Sequence, residues 1–359
     1  MQSEFRCSRS RASWPPVVAV FLVIVAVGLG GCHGGSRLLV TAPPEPGPPW
    51  VSAVQREHPL SGRIWRTSDG RFIDAAQVVA DLQAASYMLL GEKHDNADHH
   101  RVQAWLVESL VARGRRPTLA FEMLTTDQKG ALASYLADED ADAAGLGEAV
   151  GWGETNWPDW ALYQPIAQSA LDSGAPILAA GLPRQTARAI AKEGVSALGA
   201  ERVGVLGLDH PMPPEPVAML RTEIIESHCD QLPESMIDPM VTVMTTQDAL
   251  MAHILVEGEK MAGRDGAVLI AGSGHARVDR GVPWHLGHLA PGRSVTSVGL
   301  IEVEAGKTEP AAYATKFGGD GLPFDFVWFT PRTDEDDPCE AYADQLERAR
   351  RRHLEEQAE

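Results

Sequence analysis

From Trp50 onward the chain alternates short apolar runs with polar turns and stretches of helical periodicity. The apolar runs are Tyr87 to Leu90, Thr118 to Phe121, Pro176 to Ala180 and Val268 to Ala271. The stretches that place apolar residues three and four apart are His99 to Arg113, Gln128 to Leu136, Tyr163 to Ser173 and Arg184 to Glu193. Strands alternating with helices of this length predict an α/β fold, a mostly parallel sheet with helices on both faces. Two further helices, near Pro216 to Cys229 and Pro239 to Glu257, fall between the third and fourth runs and predict an inserted helical lobe. Before the rhythm begins, Ile64 and Trp65, then Ser68-Asp69-Gly70, then Phe72 and Ile73, form a hairpin pattern, after which Asp74 caps a helix ending near Ala84. Val295 to Val303 and Phe326 to Phe329 are the expected closing strands.

The N-terminus follows another pattern. Arg6, Arg9 and Arg11 precede an apolar run from Val17 to Leu29 and then Leu29-Gly30-Gly31-Cys32, the layout of a bacterial lipoprotein signal. That run is shorter than the roughly 20 residues a bilayer crossing needs. Residues 1–31 are therefore expected to be a signal peptide, with Cys32 lipidated and anchoring the protein to a membrane outside the cytoplasm. His33, rather than an acidic residue, follows the cysteine, which favours the outer membrane. Residues 32–49, rich in proline, make a stiff spacer. Residues 50–333 form one large domain, and the charged tail 334–359 is expected to be a solvated helix or disorder with no chemistry.

Charge and cysteines narrow the partners. The net charge of −18 argues against nucleic acid, and the signal removes three arginines against one glutamate, so the remainder is more acidic still. Of four cysteines, Cys7 leaves with the signal and Cys32 is acylated. Only Cys229 and Cys339 are left to pair, which an oxidising compartment permits.

In an open parallel sheet, ligands bind where the carboxyl ends of the strands converge. Here those ends carry Gly91-Glu92-Lys93-His94-Asp95-Asn96 with Asp98-His99-His100, then Glu122, then Gly181-Leu182-Pro183-Arg184, then Gly272-Ser273-Gly274-His275-Ala276-Arg277. Singly, each piece reads as a turn glycine, a helix-surface histidine or a structural carboxylate. Together they predict a pocket suited to a transition metal or to acid and base work. A second cluster holds Trp152, Trp157, Trp160 and Tyr163, either ordinary core or a wall for a flat apolar ligand, beside which a tyrosine phenolate is able to ligate ferric haem. Met236, Met240 and Met244 form a helical stripe read as core. His228, His253, His285 and His288 have no partner at diagnostic spacing and are read as structural.

The chain resembles the ChaN family of haem-binding lipoproteins, within the superfamily that includes Tiki proteases and TraB-type proteins. The matching stretches are Leu90 to Asn96 with His100 and Gln103, Ala120-Phe121-Glu122-Met123, Trp160-Ala161-Leu162-Tyr163, Ser227-His228-Cys229, Gln247 to Ala252 and Gly272 to Pro283. The resemblance implies haem held by a tyrosine, a homodimer that stacks two haems face to face, and a histidine and lysine from the partner on the propionates. It points to Tyr163 as iron ligand, with Trp160 and Trp157 as wall and Lys93 as one lysine available to a propionate. Lys93, Ser273 and Gly181 depart from residues common in relatives. The protease members of the superfamily imply a competing site, a divalent metal on Glu92, His94, Glu122 and His275 that activates water for hydrolysis. The leading expectation is a membrane-anchored haem-binding protein of iron acquisition rather than an enzyme, with a metal-dependent hydrolase as the alternative.

Overall fold

The computed structural model describes residues 49–319, 321–337, 339, 340 and 343. The signal peptide, Cys32 and nearly all of the proline-rich spacer lie outside the described residues, as does most of the C-terminal tail.

The first elements are local. β1 (Ile64–Arg66) and β2 (Arg71–Ile73) pair antiparallel through the Asp69-Gly70 turn, where Gly70 takes a left-handed φ of +64°. Asp74 then caps α1 (Ala75–Ala84), accepting from the Gln77 N–H while the Gln77 side chain returns to the Asp74 N–H. β3 (Tyr87–Glu92) is buried at every position, as a strand covered on both faces must be. It leads into α2 (Ala97–Ala112), capped by Asn96, whose side-chain oxygen accepts from the Asp98 and His99 N–H groups. Then come β4 (Thr118–Thr125), α3 (Lys129–Leu136), α4 (Ala143–Ala149), α5 (Gln164–Ser173), β5 (Ile177–Gly181), α6 (Arg184–Glu193) and α7 (Ala200–Val205). The inserted lobe is α8 (Pro214–Ser227) and α9 (Glu234–Glu259), and the chain returns through β6 (Ala267–Gly272), α10 (Val282–Leu289), β7 (Val295–Glu302) and β8 (Phe326–Thr330).

The eight strands form one sheet in the order β2-β1-β8-β7-β3-β6-β4-β5. From β8 to β5 every neighbouring pair is parallel, while β1 joins β8 antiparallel. The expected mostly parallel α/β sheet is therefore present, with the carboxyl ends of β3, β6, β4 and β5 on one edge. Two apolar layers sandwich it. One contains Leu90, Phe121, Ile270 and the inward faces of α1, α2 and α5. The other contains Leu89, Ala120, Leu269 and the inward face of α9. Alternate residues of each strand go to opposite layers, the period-two pattern of a sheet covered on both sides.

The lobe differs from its sequence reading in three respects. α9 begins at Glu234 and carries Pro239 within its first turns. Of the methionine stripe, Met240 and Met244 pack on a small core of Met212, Leu220 and Ile224, whereas Met236 is 45 % exposed. Cys229, just after α8, is disulfide-bonded to Cys339 across 110 residues of sequence. The tail expected to carry no chemistry thus holds a covalent tie to the lobe. No helix among the described residues is long and apolar enough to cross a membrane.

Candidate functional site

Glu92 ends β3 with a side chain wholly removed from solvent. Its Oε1 accepts from the Tyr163 hydroxyl at 2.9 Å and lies 2.9 Å from His94 Nδ1, and its Oε2 lies 3.0 Å from His100 Nδ1. His100 Nε2 is in turn 3.0 Å from the His94 carbonyl oxygen. Both ring nitrogens of His100 lie close to acceptor oxygens, an arrangement that favours the protonated ring. Burial by itself raises a carboxyl pKa, but the His100 and His94 imidazoles outweigh it and hold Glu92 well below the usual range. The same carboxylate raises His94 and His100 against the opposing effect of burial.

Glu122 is placed by an irregularity in the sheet. The sequence reading ended the second strand at this residue, but β4 runs on to Thr125. It pairs with β6 only through Phe121, opposite Ile270. Beyond that point the Glu122 side chain replaces the missing ladder partner, with Oε2 accepting the Gly272 N–H at 2.8 Å. Its Oε1 lies 3.3 Å from His275 Nε2, and His275 Nδ1 lies 2.5 Å from Asp248 Oδ1 on α9. Although burial opposes ionisation, the His275 imidazole holds Glu122 down to about 2, while Glu122 and Asp248 raise His275 well above its ordinary value.

Close backbone approach joins the two halves. A Cβ on Gly272 would stand 3.0 Å from His94 Nε2 and 3.7 Å from Glu122 Oε2, and one on Gly91 would meet the Ser273 backbone at 2.9 Å. Three carboxylates, Glu92, Glu122 and Asp248, are thus interleaved with three imidazoles, His94, His100 and His275. The expectation that four successive strand ends converge is met for β3, β4 and β6. At β5, Leu182 donates its N–H to the Gln247 side chain at 2.6 Å, which fastens that turn to α9.

The divalent-metal expectation does not fit this arrangement. Glu92 and His94 Nδ1 face each other, Glu122 faces His275 and the Gly272 N–H, and His275 Nδ1 faces Asp248. Among the described residues no group of three or more His, Cys, Asp or Glu side chains is arranged to hold a metal ion.

The aromatic cluster divides. Trp152 and Trp160 are buried, their ring N–H groups donating to the carbonyls of Pro158 and Ala143 at 2.8 and 2.7 Å. They pack against Tyr163 with ring centroids 5.2 and 6.3 Å away. Gly147 admits the Trp160 ring, since a Cβ there would meet it at 2.5 Å. Trp160 is therefore core rather than wall. Trp157 is only partly buried, stands edge-on to the His94 ring at 4.7 Å, and lines an open cavity of about 520 Å³ together with Met123, Val150, Leu182 and Arg184. Tyr163 is fully buried, with its hydroxyl donating to Glu92 and 3.4 Å from His94 Nδ1. Burial and then the Glu92 carboxylate push its pKa up, so the phenolate that ferric iron requires forms only if this contact opens. Lys93 is engaged elsewhere, 2.9 Å from Asp95 and 3.5 Å from Glu302.

A family model described as haem-binding uptake, Tiki superfamily, ChaN matches residues 78–286, more than half of the chain. The chain belongs to the ChaN family. Among solved structures, it is similar to ChaN of Campylobacter jejuni, described with cofacial haem binding, at 22 % identity and a TM-score of 0.56, covering 74 % of this chain and 95 % of that one. At that identity the likeness shows a shared fold. An erythromycin esterase mutant in an open conformation (10 % identity, TM-score 0.42, 77 % and 99 % coverage) and the type III effector HopBA1 (12 %, 0.39, 71 % and 91 %) are more distant. No curated protein sequence matches the chain.

The matched ChaN span contains every member of the carboxylate–imidazole cluster, including two whose roles the sequence reading missed. His100, weighed there as a helix-surface residue, is fully buried, and so is His99, whose Nδ1 accepts the Lys93 N–H at 2.9 Å. Asp248 had a legible signal, because it shares a helical face with the apolar Met251, Ala252 and Leu255, all of them buried. Arg277 and Arg280, from the same turn as His275, are also buried; both bind Glu223 of α8 and so tie the lobe to the sheet.

Proposed function

We propose that this protein captures haem outside the cytoplasm, tethered to a membrane through lipid on Cys32, and serves iron acquisition. The reading rests first on membership of a haem-binding family. The observation in this chain that carries it is the open cavity of about 520 Å³ at the strand-end edge, walled by Trp157, whose ring stands 4.7 Å from that of His94; Tyr163 does not line the cavity but lies behind this pair, its hydroxyl 3.4 Å from His94 Nδ1. Met123, Val150 and Leu182 offer an apolar surface to a macrocycle, and the exposed Arg184, with no hydrogen bond or ion pair among the described residues, suits a propionate. Bound haem would supply an iron centre whose ligand sets its spectrum and potential.

Tyr163 is the ligand we assign, and the assignment has a definite cost. Its hydroxyl must leave Glu92 and lose a proton, so binding releases a proton and leaves Glu92 to His94 and His100 alone. The cofacial binding described for the Campylobacter jejuni protein suggests a second copy of this chain as partner, with two haems stacked between the subunits. The Cys229–Cys339 disulfide agrees with an oxidising compartment.

Hemin titration of the wild-type and Tyr163→Phe proteins tests the ligand. A saturable tyrosinate-type spectrum in the wild type that vanishes in the variant is the expected result. Identical spectra and affinities would remove Tyr163 from the role.

A further inference from the structure

A second cavity, separate from the strand-end cluster, opens along β5, the edge strand of the sheet. It has a volume of about 750 Å³, within the range that holds cofactors. Its walls come from both layers, with α3 reaching around from one face of the sheet and α7 and α9 from the other. Leu132, Leu206 and Ile254 make it apolar. Two of the large apolar side chains that the domain leaves exposed, Val205 at 48 % and Met261 at 41 %, also line it. A soluble surface does not ordinarily gather such residues around a hollow without an occupant.

The polar groups here contrast with those of the strand-end cluster. His253 lies on the α9 wall, half-buried, and makes no hydrogen bond or ion pair among the described residues. Arg202 of α7 and Lys129 of α3 are exposed and line the same cavity, also without hydrogen-bond or ion-pair partners among the described residues. The neighbouring carboxylate, Glu257, is engaged by Lys260 at 3.0 Å. In a chain with a net charge of −18, two unengaged cations beside an apolar hollow mark a place for an anion. Burial pushes the His253 pKa down, which leaves its imidazole neutral and able to donate a lone pair.

We infer that the β5-edge cavity is a second tetrapyrrole site, in which His253 is the axial ligand to iron and Arg202 and Lys129 receive the carboxylates. A linear fatty acid would satisfy the cations and the apolar wall but would leave the imidazole unused. A metalloporphyrin uses all three, because one face of the macrocycle takes a nitrogen ligand while its edge carries two carboxylates. The site does not depend on Tyr163.

Hemin titration of the full-length protein, its His253→Ala and Tyr163→Phe variants and the double variant tests this, followed by absorbance and electron paramagnetic resonance. Thermal melts confirm that each variant is folded. The expected result is a second hemin equivalent with imidazole-type ligation, absent from His253→Ala and retained in Tyr163→Phe. An Arg202→Glu, Lys129→Glu protein is expected to bind that equivalent about tenfold more weakly. If Tyr163→Phe changes nothing while His253→Ala removes an equivalent, the strand-end ligand assignment fails and this one stands. Unchanged stoichiometry and spectrum in folded His253→Ala would overturn the proposal, as would oleate occupying the cavity while hemin never enters it.

Discussion

The strand-end cluster and the β5-edge cavity are two answers to the same problem, polar groups placed within an apolar fold. At the strand ends, Glu92, Glu122 and Asp248 are satisfied by His94, His100, His275, Tyr163 and the Gly272 N–H, so the charges stabilise one another. Along β5, His253, Arg202 and Lys129 have no such partners among the described residues, and the space between the walls is open. The difference separates a cluster whose members satisfy one another, so that Tyr163 must leave Glu92 before it takes up iron, from groups that stand unengaged around an open cavity. It predicts that substitutions within the strand-end cluster cost stability first and that those of His253, Arg202 and Lys129 cost binding alone.

Glu92→Ala gives the largest expected effect, because it strands His94, His100 and Tyr163 without their shared acceptor. Removing one member of a buried charge network costs about 3–5 kcal/mol, read from denaturant melts. Loss of under 1 kcal/mol would show that the cluster does not brace the fold. The disulfide comes next. Cys229→Ser, Cys339→Ser protein is expected to lose about 2–4 kcal/mol, by the same measurement, if the lobe and tail are tied mainly through this bond. Gly181→Ala should cost about 1–3 kcal/mol, because the new Cβ would clash with the Glu122 carbonyl oxygen and force the backbone to shift.

Acidity sharpens the comparison from another side. His99 is buried and neutral, its pKa lowered to about 3 chiefly by burial, with His100 adding to the effect. Its folded value lies below its unfolded one, so its contribution is complete above about pH 6.5 and is lost as pH falls toward 3. Between pH 6 and 5 the wild type should lose about 1.4 kcal/mol per pH unit more than His99→Gln. Equal slopes in urea melts would place the pH sensitivity elsewhere. His253→Ala has the smallest expected effect on stability, within about 0.5 kcal/mol in the same melts, since nothing in the fold relies on its ring.

Much of the frame was legible in the sequence because periodicity records burial directly. Tyr87 to Leu90 and Val268 to Ala271 are continuous apolar runs, and only strands covered on both faces are buried at every position in this way. Their polar ends, Glu92 and His275, were legible for the same reason, since a charge after such a run lies at the sheet edge. What escaped was distance in sequence. Asp248 meets His275 from the middle of a long inserted helix, and Glu122 takes up the Gly272 N–H because β4 parts from β6 after Phe121. Helical spacing marks Asp248 as facing the core, but neither contact follows from it. The tryptophans were ambiguous because glycine and proline neighbours suit a loop or a tight core equally. Gly147, which leaves room for the Trp160 ring, decides it for that residue.

The central claim is that this member of the ChaN family binds haem at the strand-end edge. Stoichiometric hemin titration of the full-length protein alongside a Trp157→Ala, Arg184→Glu variant tests it most directly. Saturable binding in the wild type, with the tyrosinate-type equivalent weakened at least about tenfold in the variant, is the predicted result. Hemin that never saturates in the wild type, or that binds both proteins equally at that equivalent, would contradict it.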